Sequence, residues 1–492
     1  MTGAFDLAVI GGGTAGLAAA QTAAHRTRRV LLISEGPLGG ECTWNGCVPS
    51  KALIEAASVH HTAVNAEPFG IRVGNVSVDF ASVMDGVHDV IDQIARYEDE
   101  AHLETAGVVV RRGRSAFVDA RTLQVGDERF TAERVVICTG SRPAIPAIDG
   151  LDDVPFLTNE TIFALREQPR RLLVLGAGAV GLELAQAFVR LGTEVDVIDI
   201  MPAFLPHEDP EIAKVMRDIL ESEGIRFHLG ATTLRVKRID SGIELIVRDD
   251  AGERAVVGDH MLVATGRAAN VDGLGLETIG VRVSDQGIVV DAHLRTSVSG
   301  IFAAGDVTGT LPFTHVAAYQ GRLAAHNAFE RQQAASYRVV PWVIFTEPEI
   351  AHVGLTEPEA RRAHGDSVRV ATLPFTAVDR AVITRRPRGL IKVITGGKPL
   401  LGHAGGGTIL GAHIAGPGAG ELIHEFVVGM QVHAFSGRLA QAIHAYPSMS
   451  VGVQQAVARL FENGRAAAGE LREELLSEGV RPRPTPPGPG PP

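Results

Sequence analysis

Cys42 and Cys47 are the residues best suited to do chemistry in this chain, and they stand with four residues between them. The segment reads Gly39-Gly40-Glu41-Cys42-Thr43-Trp44-Asn45-Gly46-Cys47-Val48-Pro49-Ser50-Lys51, with a helical stretch expected from Lys51. A helix N-terminus and a nearby ammonium both lower a thiol pKa, which would let Cys47 persist as the thiolate that disulfide exchange uses. Two other readings stand beside redox use. One is a metal clip, although no second ligand pair is evident and no metal ligands are expected elsewhere; the other is two incidental buried cysteines. Cys138 is the only further cysteine, so a secreted disulfide framework is excluded.

The second kind of chemistry lies in two glycine turns. Gly11-Gly12-Gly13-Thr14-Ala15-Gly16 fits G-x-G-x-x-G between a strand, Leu7 to Ile10, and an alanine-rich helix, Ala15 to Ala24. Glycines there permit a tight turn and close approach of a pyrophosphate to the helix N-terminus. Glu35 ends the next strand, Val30 to Ile33, at the spacing of a ribose acceptor. Gly176-Ala177-Gly178-Ala179-Val180-Gly181 repeats the pattern between Leu172 to Leu175 and a helix through Arg190, with Asp199 ending the strand Val195 to Ile198. A carboxylate at Asp199 repels a 2′-phosphate, and no arginine follows closely, so NADH is favoured over NADPH. Two dinucleotide sites predict a relay, with a resident flavin in the first and an exchanging nicotinamide in the second. Gly305-Asp306, at a later strand end, offers a carboxylate for a ribityl hydroxyl or a simple turn.

The elements that position these residues follow from the repeat. Strand ends at Val135 to Gly140 and Met261 to Gly266 bracket the second unit. The expected class is α/β: two nested Rossmann-like dinucleotide-binding domains and a C-terminal α+β dimerisation domain. The limits are 1–153 and 276–338 for the FAD-binding domain, 154–275 for the NAD(P)-binding domain, and 339–465 for the interface domain. A proline-rich tail, 466–492, is expected to be disordered, and Gly402 to Gly407 reads as a flexible surface loop.

The chain has 492 residues, 45% hydrophobic and 21% charged, which suits several folded domains. A net charge of -11 argues against a nucleic-acid or anionic-lipid surface. No apolar run approaches the roughly 20 residues of a membrane span, and no leader pattern opens the chain, so a cytoplasmic protein with small-molecule partners is expected.

Taken together, Gly39 to Lys51, Thr139-Gly140, Gly176 to Gly181 with Glu183, Ala264-Thr265-Gly266-Arg267, Ala303 to Asp306, and Phe345 to Glu349 with Val353-Gly354 resemble the class I pyridine nucleotide-disulfide oxidoreductases. The family includes dihydrolipoamide dehydrogenase, glutathione reductase and mercuric reductase. The resemblance runs to about residue 465 and implies FAD and NAD(P)H as cofactors. It further implies that Cys42 is the thiol that meets substrate, that Cys47 is the charge-transfer thiol beside the flavin, and that Lys51 pairs with Glu183 near the flavin N5 edge. It implies Gly266 and Arg267 among the cofactor-binding residues. It also implies a homodimer whose C-terminal domain completes the partner's active site.

The chain departs from that pattern in one place. Disulfide-reducing members carry a His before a Pro and a Glu five residues after the His; aligned on Pro447, Tyr446 and Val451 occupy those positions. His444 is a candidate substitute, or an ordinary satisfied histidine. Mercuric reductases also lack the dyad but use a late cysteine pair, whereas no cysteine follows Cys138 here. The sequence therefore predicts an NAD(P)H-dependent flavoenzyme whose acceptor is a metal ion, a quinone or a disulfide. The alternatives are a dihydrolipoamide dehydrogenase, a mercuric reductase without the cysteine pair, and a non-catalytic flavoprotein assembly partner.

Overall fold

The computed structural model describes residues 4–397 and 402–462. The expected tail at 466–492 lies outside the described residues. Strand β1 (Ala4–Ile10), helix α1 (Thr14–Ala24) and strand β2 (Val30–Ser34) form the first glycine-turn unit. Every residue of β2 is buried, as a parallel strand covered on both faces requires. Helices α2 (Gly40–Trp44) and α3 (Cys47–Val64) follow. Helix α3 thus opens at Cys47 rather than at Lys51, because Pro49 falls in the first turn, where an absent N–H removes no helical bond.

Strands β3 (Val108–Arg112) and β4 (Glu128–Ile137) complete the core of this sheet, which runs β3-β2-β1-β4 in parallel and continues into two antiparallel strands. The second unit is β5 (Arg171–Leu175), α4 (Ala179–Arg190) and β6 (Glu194–Asp199). Helix α5 (Pro210–Ser222), β7 (Arg226–Leu229) and β8 (His260–Val263) extend it to a four-stranded parallel sheet, β7-β6-β5-β8. Strand β9 (Ile301–Ala303) then returns to pair with β4. The second sheet is therefore inserted within the first, as the nested α/β expectation required.

Helix α6 (Thr314–Phe329) crosses α1 so closely that a Cβ on Gly321 would stand 2.1 Å from the Ala15 carbonyl oxygen. A five-stranded antiparallel sheet follows, comprising β10 (Pro341–Ile344), β11 (Glu349–Gly354), β12 (Val368–Pro374), β13 (Leu390–Gly396) and β14 (Thr408–Gly416), in the order β10-β11-β14-β13-β12. Helices α7 (Ala419–Gln431) and α8 (Ser450–Ala458) cover it through Phe426, Ile423 and Val453. Gly402 to Gly407 is not a free loop throughout. Gly406 and Gly407 are buried, and a Cβ on Gly406 would meet Ser436 Oγ at 2.2 Å. Among the described residues no helix is long and apolar enough to cross a membrane.

Candidate active site

The first sheet, the opening of α3 and the start of α6 enclose a cavity of about 1540 Å³. Gly11, Gly13, Thr14, Ala15, Glu35, Cys42, Cys47, Lys51, Thr139, Gly140, Gly305 and Asp306 all line it. The two glycine turns share one geometry. Gly11 and Gly176 have φ of +108° and +106°, and a Cβ on either would collide with a carbonyl oxygen of the neighbouring strand end, Cys138 or Ala264. Gly16 and Gly181 let α1 and α4 lie against their own turns, where a Cβ would come within 1.8 Å and 2.0 Å of the Gly11 and Gly176 oxygens.

Gly13 and Gly178 differ from these. A Cβ on Gly178 would meet no protein atom within 4 Å, and one on Gly13 would meet only Gly40 Cα at 3.8 Å. Protein packing does not demand glycine there. Each is the N-cap of its helix without a side-chain cap, so the first-turn N–H groups face open space that a pyrophosphate can fill. Val180 and Glu183 of the second helix reach the same cavity. Glu35 stands exposed at the rim. Asp199 is occupied differently from the simple expectation: its two oxygens accept from the Ala177 and Met201 backbone N–H groups at 2.6 Å and 2.7 Å, bracing the turn as well as charging it.

Cys42, on α2, and Cys47, at the first position of α3, are free thiols that share one hydrogen-bond partner. Thr314 Oγ1 lies 3.3 Å from both sulfurs. The hydrogen bond from Cys42 pulls the Cys47 thiol down to about 6 despite burial, with Thr314 and the Lys51 ammonium acting in the same direction. The same thiol–thiol bond, with burial, pushes Cys42 up. The pair is therefore asymmetric: Cys47 is driven toward the thiolate and Cys42 toward the thiol. Cys138 is fully buried, and desolvation raises its pKa.

Lys51 Nζ lies 2.8 Å from Glu183 Oε2 and 4.5 Å from the Phe345 ring centre. Arg267 also lines the cavity. It grips the Glu41 carboxylate beside Cys42 and donates to Ser141 Oγ at 2.7 Å, while Ser141 donates to Asp306 Oδ2 at 2.6 Å. Glu41, Ser141 and Thr314 were not singled out from sequence; a threonine opening a helix after a Gly-Asp turn was the one available signal for Thr314. In this single chain His444 and Tyr446 are not part of the cavity. His444 Nε2 meets Glu425 Oε2 at 2.9 Å, and the exposed Tyr446 donates to Asp379 Oδ2 at 2.7 Å.

Residues 5–321 match the pyridine nucleotide-disulphide oxidoreductase family, and residues 340–457 match its dimerisation domain. The chain belongs to this family. It is 37% identical over 462 residues to a mercuric reductase of Streptomyces lividans, covering 92% of this chain and 95% of that protein. It is 36% identical over 466 residues to a dihydrolipoyl dehydrogenase of Thermus scotoductus, covering 93% and 98%. Among solved structures it resembles the Cu(II) complex of the HOCl-induced flavoprotein disulfide reductase RclA from Escherichia coli, with TM-score 0.83, 27% identity, and coverage of 93% and 99%. LpdA from Mycobacterium tuberculosis superposes with TM-score 0.83 at 30% identity, covering 92% and 99%. Members of the family bind FAD and use NAD(P)H, and this chain is an NAD(P)H-dependent flavin disulfide oxidoreductase. The open Gly13 cradle, the uncapped α1 N-terminus and the adjoining cavity fit FAD.

Proposed function

We propose that this chain carries electrons from NADH through FAD to the Cys42–Cys47 pair, and from there to a metal ion or a quinone in preference to a disulfide. The observation that carries the reading is the asymmetric dithiol held by Thr314 at the mouth of α3. FAD, held by the Gly11 to Gly16 turn with Glu35, Lys51, Thr139, Gly140, Gly305 and Asp306, supplies the two-electron step between nicotinamide and sulfur. The Gly176, Gly178, Val180, Gly181 turn with Asp199 would hold the dinucleotide, and Gly266 and Arg267 would border it. Two electrons and one proton convert the disulfide to a Cys42 thiol and a Cys47 thiolate. Re-forming the disulfide releases that proton and delivers two electrons, for example to two Cu(II) ions. The Lys51–Glu183 pair fixes a positive charge where it stabilises the thiolate.

The acceptor class is argued from Tyr446 and Val451, which supply no general base near neutral pH. RclA, whose structure contains Cu(II), and the mercuric reductases point the same way. Exposed Ile443, Tyr446, Val382 and Ile383, together with the dimerisation domain, support a homodimer. The sheet pairing supports the domain limits 1–153 with 276–338, 154–275 and 339–465. The test is NADH oxidation by the holoenzyme with Cu(II), Hg(II), a quinone or glutathione disulfide as acceptor, set beside NAD reduction by dihydrolipoamide. Turnover highest with a disulfide would overturn the acceptor class. A second reading, dihydrolipoamide dehydrogenase, is favoured by one observation: the His444–Glu425 contact is a histidine–carboxylate pair within the dimerisation domain.

A further inference from the structure

On the antiparallel sheet, Trp342, His352, His413 and Lys392 stand in one row across four adjacent strands. The register pairs Trp342 with His352, His352 with His413, and His413 with Lys392. This row faces Glu208 and Asp209, which lead into α5 of the inserted unit. Lys392 is fully engaged, 2.8 Å from Asp209 and 2.7 Å from Glu357. Glu208 Oε1 accepts the Trp342 indole N–H at 2.6 Å.

The two histidines are not accounted for in this way. His352 Nε2 lies 2.8 Å from the Gly354 carbonyl, and His413 Nε2 lies 2.9 Å from the Leu355 carbonyl. A carbonyl oxygen only accepts, so each ring carries its proton on Nε2, and in a neutral imidazole Nδ1 is then a bare lone pair. His352 Nδ1 points at Glu208 Oε2, 3.2 Å away, and His413 Nδ1 is buried with no hydrogen-bond partner among the described residues. One ligand atom from each of Glu208, His352 and His413 lies within 4.8 Å of the other two. The three residues are 6%, 1% and 0% exposed.

Two lone pairs and a carboxylate converging in a dry interior are costly unless a cation lies among them. Protonating His352 would satisfy its contact with Glu208 but would leave His413 Nδ1 orphaned. Imidazoles whose far N–H is fixed by a backbone carbonyl, clustered with a carboxylate, are arranged as metal ligands are.

We propose that Glu208 Oε2, His352 Nδ1 and His413 Nδ1 bind one divalent cation of the zinc class. Two imidazoles and one carboxylate suit Zn(II), at about 2.0 to 2.2 Å per ligand after a small inward movement of the side chains. The second oxygen of Glu208 or one water completes the set. None of the three ligands lines the large cavity, so the ion is structural. It clips the inserted nucleotide unit to the antiparallel sheet. Trp342, stacked on His352 at 3.7 Å between ring centres, separates it from the cleft.

The test uses oxidised holoenzyme, in which the Cys42–Cys47 disulfide offers no thiolate to a metal. Protein purified without metal-affinity steps, stripped with a chelator and then titrated with Zn(II), should retain about one zinc per chain by elemental analysis. Its melting temperature should rise by several degrees on metal addition. His413→Leu, which keeps the volume, and H352Q should each lose the zinc and the thermal response while retaining flavin. If either variant fails to fold, E208Q replaces it. Wild-type protein that retains no stoichiometric zinc, or variants that retain as much as the wild type, would overturn the proposal.

Discussion

Lys51 Nζ lies 2.8 Å from Glu183 Oε2, so the helix that opens at Cys47 is fastened to the helix that opens at the second glycine turn. Glu183 is buried, and its other oxygen accepts the Phe345 N–H at 2.9 Å. One carboxylate therefore ties together α3, α4 and the segment after β10. The same pair holds a positive charge where it lowers the Cys47 pKa.

Cys42 first, then Thr314 and the Lys51 ammonium, lower the Cys47 thiol and set a pH dependence. A thiol lowered to about 6 is ionised above that pH and protonated below it. Long-wavelength absorbance of the two-electron-reduced holoenzyme, if it arises from a Cys47 thiolate against flavin, should therefore fade as the pH falls through about 6. It should be absent in Cys47→Ser. In Lys51→Met the midpoint should move up by about one unit or more, the usual effect of losing a nearby opposite charge. Absorbance that survives in Cys47→Ser would refute the assignment of Cys47.

Thr314→Val isolates the shared hydroxyl. Its hydrogen bonds lower the Cys47 pKa and touch both sulfurs, and bonds to charged groups contribute about 1.5 to 3 kcal/mol. The variant should keep its flavin, and its pH–rate profile should be displaced to higher pH. The loss should be on the order of tenfold near pH 6 and smaller at pH 8. An unshifted profile would assign Thr314 a packing role only.

The nested sheets were legible because each glycine turn sits between a buried apolar strand and an alanine-rich helix, with an acid closing the next strand. The spacing of the cysteine pair left redox use, a metal clip and incidental burial open, and only the resemblance of Gly39 to Lys51 to the family singled out the first. The start of α3 was not legible, because proline reads as a helix breaker unless its place in the first turn is known. Arg267 and Asp306 were expected at the site, but their links through Glu41 and Ser141 were not, since contacts between distant segments leave no periodic trace. The buried row Trp342, His352, His413, Lys392 was invisible for the same reason: each residue reads alone as an odd polar position in a strand, and only register brings them together.

Asp199 should favour NADH, because its carboxylate meets a 2′-phosphate as a like charge. Since it also accepts the Ala177 N–H, Asp199→Ala would loosen the turn and confuse the result. Asp199→Asn removes the charge and keeps one acceptor oxygen for the Ala177 N–H, giving up the bond from Met201 at the exposed side. The ratio of kcat/KM for NADH over NADPH should exceed one in the wild type and fall by about tenfold in Asp199→Asn, equivalent to about 1.4 kcal/mol. A wild type that uses NADPH as well as or better than NADH would sink this reading.

Tyr446 decides between the two functional readings. Dithiol exchange needs a proton acceptor near neutral pH, and a phenol of pKa about 10 is poorly matched to that role. Its bond to Asp379 raises the Tyr446 pKa further, so proton transfer through this residue is less favourable still. Weak activity with dihydrolipoamide and glutathione disulfide is expected. Tyr446→His combined with Val451→Glu should recover part of the roughly 10² to 10⁴ in rate that a positioned acid–base group contributes. Val451 lies in the first turn of α8, so a glutamate there also suits the helix N-terminus. The contrary result is equally informative. Against burial, which lowers it, the Glu425 carboxylate raises the His444 pKa and keeps the ring available as an acid–base group. If the wild type oxidises dihydrolipoamide as fast as it uses any other substrate, and His444→Gln abolishes that activity while sparing reduction of Cu(II), then His444 is the base and the dehydrogenase reading replaces the one proposed.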